Sequence, residues 1–74
     1  MSYIVIELQT TDGVTATITN SYTSKNEAEQ KFHNVLAAAA VSNVDIHSAS
    51  MIDIYGNVIK CESYEHNIET DQVV

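Results

Sequence analysis

Residues 24–41, SKNEAEQKFHNVLAAAAV, form the only stretch of this chain with sustained helical periodicity. Ala28, Phe32, Val35, Leu36, Ala39 and Ala40 recur at helical spacing and make one apolar stripe. Ser24-Lys25-Asn26-Glu27 opens the helix as a capping box, in which the Ser24 hydroxyl accepts from the Glu27 amide and the Glu27 carboxylate can reach back. Asn43 is expected to stop it in a left-handed conformation. The segments on either side alternate apolar and polar residues, which is the pattern of strands with one buried face. A single helix must therefore serve all of them.

Residues 3–9 (YIVIELQ) place Ile4, Ile6 and Leu8 on one face and Tyr3, Val5, Glu7 and Gln9 on the other. Residues 14–22 (VTATITNSY) set Val14, Ala16 and Ile18 against a row of threonines. Asp12-Gly13 between them is a hairpin signal. A two-residue loop there would set Ile6 opposite Thr19 and mix the faces. A three-residue loop, Thr11-Asp12-Gly13, pairs Ile6 with Ile18 and Leu8 with Ala16, and face matching favours it. The third strand is expected at about 45–55 and the fourth at 58 to about 67, joined by a two-residue Gly56-Asn57 turn. That turn pairs Asp53 with Lys60, Met51 with Glu62, Ala49 with Tyr64, His47 with His66 and Ile52 with Cys61.

The order β-β-α-β-β makes this an α+β chain. We expect two layers, a four-stranded antiparallel sheet in the order 2-1-3-4 with the helix on one face, and 1-2-4-3 as the alternative. Ile4, Ile6, Leu8, Ile18, Ile52, Ile54 and Ile59 are expected under the helix. The face left open then carries Tyr3, Val5, Ala49, Met51, Tyr55, Val58 and Tyr64. Tyrosine and methionine on an open face read as an interaction surface.

At 74 residues the chain is read as one domain, 1–74, with a frayed tail from about residue 69. A chain this short buries only about 60% of its unfolded surface. Cys61 is the only cysteine, so no internal disulfide can supplement the core. Homodimerisation is the supplement expected. The net charge of −7, with three lysines and no arginine, argues against direct contact with nucleic acid or an anionic membrane. No apolar run is long enough to span a bilayer and no signal peptide is read, so a cytoplasmic setting is expected.

Candidate chemistry is sparse. His47 and His66, paired across the last hairpin, supply too few ligands for zinc but could form a pH-sensitive pair that repels when both charge. Cys61 is expected under the helix as an inert thiol. No catalytic, cofactor-binding or metal-ligating set emerges, and the chain is not expected to be an enzyme. The openings YIVIELQTTDG and NEAEQKFHNVLAAAAVS resemble a group of small proteins of Firmicutes and their phages or prophages, with a YIVIE-type start and an EAE…(Y/F)H…LAAAAVS helix, over most of residues 3–55. The resemblance implies a phage-associated accessory or virion component and brings no catalytic residue with it. The expected function is a protein–protein interaction or assembly component acting through the open sheet face. An acidic inhibitor or nucleic-acid mimic that occupies a basic partner is the alternative, suggested by the charge.

Overall fold

The computed structural model describes residues 2–66. The chain runs β1 (Tyr3–Thr11), β2 (Val14–Tyr22), α1 (Lys25–Ala40), β3 (Ile46–Asp53) and β4 (Val58–Glu65). The strands make one antiparallel sheet in the order β2-β1-β3-β4, with α1 packed on one face. This is the expected α+β architecture and strand order. The tail expected from residue 69 lies outside the described residues.

Ser24 caps α1 with extended backbone, and its hydroxyl accepts from the Glu27 amide at 3.4 Å. The other end differs from expectation. Val41 is the C-cap, and the Val41 and Ser42 amides bond to Ala38 and Ala39 three residues back. Among the described residues Asp12 is the only non-glycine with positive φ, so Asn43 is not a left-handed stop.

The β1–β2 register corrects the face-matching argument. Thr11 pairs with Val14, Leu8 with Thr17 and Ile6 with Thr19, so the loop is the two-residue Asp12-Gly13. Asp12 (φ 53°) and Gly13 (φ 80°) both adopt the left-handed conformation that a tight hairpin of matching twist requires. Turn chemistry outweighed face matching, because the outer half of β2 projects past the helix and has no core face to satisfy.

The β3–β4 turn, by contrast, is longer than expected. The Gly56 amide bonds to Asp53 O at 3.1 Å and the Asp53 amide to Asn57 O at 3.0 Å, with Gly56 at φ 85°. The Asp53 carboxylate accepts from the backbone amides of Tyr55 and Asn57 and from the Asn57 side chain. These bonds, the Asn57 amide foremost, hold its pKa below the ordinary aspartate value. Lys60 therefore lies opposite Met51, Glu62 opposite Ala49, Tyr64 opposite His47 and Cys61 opposite Ser50, with a bulge at Met51/Ile52. The expected Asp53–Lys60 pair does not form; Lys60 Nζ instead reaches Glu29 on α1 at 3.4 Å.

The core lies on the other side of the sheet from the one expected. Ala28, Phe32, Val35 and Ala39 of α1 are buried as their periodicity requires, against Val5, Ala49 and Met51. Tyr3, Tyr22 and Leu36 pack around them. Buried Ala28 and Ala39 let the helix backbone approach the sheet closely. β2 and β3 run parallel with β1 between them, so the path through α1 is a crossover. Such crossovers are right-handed in about 98% of cases. Handedness, strand order and turn register together assign the helix to a side, whichever face is more aliphatic.

Candidate functional site

The uncovered side of the sheet is built from the residues between those of the core. On β1 it carries Ile4, Ile6 and Leu8, all half-buried, opposite Ile52, Ser50 and Ser48 of β3. Ile52 pairs in turn with Val58, so an aliphatic stripe runs along β1 and turns across the sheet. Hydroxyl rows border it. Thr17, Thr19 and Ser21 flank it on β2, and the Thr10 and Thr15 hydroxyls meet at 2.8 Å. By register the only charged residue on this face among the described residues is Glu65, opposite Ile46 at one corner. Between β3 and β4 the small side chains of Ser48, Ser50 and Ser63 leave a shallow depression of about 340 Å³, which Ala49 and Glu62 also line. Cys61 lines it and is exposed, which corrects its expected place under the helix.

The residues expected on an open face are mostly elsewhere. Val5, Ala49 and Met51 are fully buried under α1. Tyr3 packs beside them, and Tyr64, opposite buried His47, is half-buried on the same side. Tyr55 is exposed in the β3–β4 turn. Val58, at 62% exposure, is the one that lies on the bare face, through its pairing with Ile52. Alternation sorted the residues of β1 and β3 correctly into two sets, but not which set the helix covers.

His47 and His66 do not pair across the hairpin, since Tyr64 occupies that position. Both instead gather where α1 ends. His47 is buried, and its Nε2–H donates to Glu7 Oε2 at 2.6 Å. Its Nδ1 lies 3.1 Å from Ser42 Oγ, which is 3.3 Å from Ala39 O. His66 Nε2–H donates to the same carbonyl at 2.7 Å, and its ring stacks with Tyr64 at 6.3 Å. Burial works against the Glu7 carboxylate, yet hydrogen bonds from His47 and Gln9 and the charges of His47 and Lys31 together hold its pKa below the ordinary value.

Glu7, His47 and Ser42 thus stand in the order acid, imidazole, hydroxyl. The hydroxyl faces a helix C-terminus, where carbonyl oxygens create negative potential, the reverse of what a developing oxyanion needs. The cluster acts as a polar strut tying β1 and β3 to the end of the helix. Glu7 and Ser42 were not singled out from the sequence. The available signal was a lone glutamate in the row Tyr3, Val5, Glu7, whose burial demands a partner.

A second cleft, of about 240 Å³, is lined by Tyr22 at the end of β2 and by Glu27, Gln30, Lys31 and Asn34 of α1. Among the described residues no three of His, Cys, Asp and Glu converge to hold a metal ion, and no helix is long and apolar enough to cross a membrane. Compared with known proteins, the chain matches no family model, no curated protein and no solved structure.

Proposed function

We propose that this chain is a non-enzymatic assembly component that associates with a second copy of itself through the bare sheet face. The observation that carries this reading is the stripe Ile4, Ile6, Leu8, Ile52 and Val58 on a face whose single charge among the described residues is Glu65, in a chain of net charge −7. Two such chains repel over most of their surface. A face almost free of charge is where they can meet without setting carboxylates against each other. Four strands of about eight residues cover about 500 Å² in projection. Side-chain relief brings that near the ~800 Å² per partner of a standard interface. Covering half-buried isoleucine and leucine side chains contributes about 25 cal/mol per Å² of apolar surface removed from water. The resemblance to small phage proteins suits an assembly role.

The test is sedimentation equilibrium of the wild type beside Leu8→Glu and Ile6→Glu. The wild type should exceed the mass of one chain at micromolar concentration. Each variant should keep its far-ultraviolet circular dichroism and lose the face contact, with a smaller associated mass than the wild type, because a carboxylate would be buried in the contact without a partner. A wild type that stays a single chain sinks the proposal.

A further inference from the structure

The two edges of the sheet are guarded very differently. β4 carries a bulge, Lys60, Glu62 and Glu65, devices that discourage the addition of another strand. β2 has none of them. It is nine residues of unbroken register, VTATITNSY, with no charge, no proline and no bulge, and most of it is exposed. Natural edges of that length and regularity are normally blunted unless something pairs with them.

We infer that β2 is a strand-pairing edge and that its occupant is β2 of a second copy, antiparallel about a two-fold axis at Ile18. The strand is close to self-complementary about that residue. Thr17 meets Thr19, Ile18 meets Ile18, and Val14 meets Tyr22, so β-branched and aromatic side chains face each other and no like charges do. This is the register that uses all nine residues. Hydrogen bonding agrees with it. Thr11–Val14 closes the two-residue hairpin, so Val14, Ala16, Ile18, Asn20 and Tyr22 spend their amides and carbonyls on β1. The main-chain groups of Thr17 and Thr19 point outward, and a two-fold at Ile18 joins them to each other across the new seam.

Side chains supply an independent reason. Val14 is 72% exposed and Ile18 45%, both on the helix side of the sheet, where α1 does not reach them. In the proposed register each Val14 arrives beside Tyr22 of the other copy, at the cleft between that tyrosine and α1. The two-fold repeats the contact, so both exposed valines find a seat. Combined with the bare-face contact, edge pairing gives a tetramer of two stacked eight-stranded sheets with the helices outside, provided that the two axes cross. The edge contact does not rest on the face contact.

Two measurements on the full chain test it. Amide hydrogen exchange should show Thr17 and Thr19 becoming protected as concentration rises. Thr17→Pro removes an outward amide that β1 does not use, and Ile18→Lys guards the edge with charge. Each should weaken edge association at least about a hundredfold in sedimentation. Should Thr17→Pro fail to fold, Ile18→Lys carries the test. In the Leu8→Glu background the edge dimer should persist, and adding Ile18→Lys should leave single chains. Thr17 and Thr19 amides that exchange freely while the protein is associated overturn the inference. So does a Leu8→Glu variant that is already a single chain, which leaves the face reading standing. Association lost through the edge variants alone supports the inference and removes the face reading.

Discussion

At the scale of single residues, the most consequential group is Glu7, at 14% side-chain exposure, held 2.6 Å from a buried imidazole. With an imidazolium at His47 every polar atom is matched: Nε2–H to Glu7, Nδ1–H to Ser42, and the Ser42 hydroxyl to Ala39 O. With a neutral ring the hydroxyl must choose between Nδ1 and the carbonyl. The folded pKa of Glu7 lies below its unfolded value. Its stabilisation is therefore complete above the unfolded value and is lost as pH falls through the depressed folded one. Glu7→Gln should cost about 1–3 kcal/mol at neutral pH, since a charged hydrogen-bond partner becomes a neutral one. The variant should also lose part of the wild type's decline in stability below about pH 4.5. Urea midpoints measured from neutral pH to about pH 3 check both statements. An unchanged acid slope would show that Glu7 is not the linked group.

The strands and helix obey their own patterns, and a strand's two faces can be tested against each other. Met51 and Ile52 are neighbours on β3, but Met51 is fully buried against α1 whereas Ile52 faces the bare side. Met51→Ala should cost about 2–5 kcal/mol. Each kcal/mol lowers Tm by about 4–8 °C in a domain of this size. Ile52→Ala, measured in the Leu8→Glu background where the face contact is broken, should cost clearly less. Equal losses would contradict the assignment of the faces. The sequence-based pairing for these strands, Ala49 with Tyr64 and Met51 with Glu62, is two residues out because the turn closes at Asp53 and Asn57. A slip of two keeps each side chain on its face, so Lys60 to Glu65 were sorted correctly although their partners were not, whereas the bulge moves Val58 to the other face. In β1–β2 the slip was one residue, so Val14, Ala16 and Ile18 share a face with Val5 and Glu7 instead of with Ile6 and Leu8.

For the whole molecule the deciding quantity is where the charge lies. Ten acidic residues against three lysines leave every copy strongly anionic, yet the bare face and the β2 edge are almost free of charge. Self-association through these surfaces should strengthen or hold as salt rises, because screening shortens from about 10 Å at 0.1 M to about 3 Å at 1 M and weakens the repulsion between copies. An acidic protein that occupied a basic partner would show the reverse and release it. Sedimentation of the wild type across that range separates the two. Dissociation at high salt would place the contact on charged surface and refute the self-association reading.

The sequence by itself determined what is local along the chain. Alternation marked four strands, helical spacing marked α1 and its buried residues but added Ala40, which is exposed, and Asp12-Gly13 marked a tight turn. The division of β1 and β3 into two sets of residues was equally legible. Only the tertiary structure decided which set lies beneath the helix, and it chose Val5, Ala49 and Met51 over the more aliphatic Ile4, Ile6 and Leu8. That choice depends on turn geometry and on the handedness of a crossover between strands that are not neighbours, and neither leaves a periodic trace in the residues. The Glu7–His47 contact was hidden for the same reason, its partners being forty positions apart. A bare face was foreseeable from one helix over four strands; its residues were not, because they follow from the side on which that helix lands.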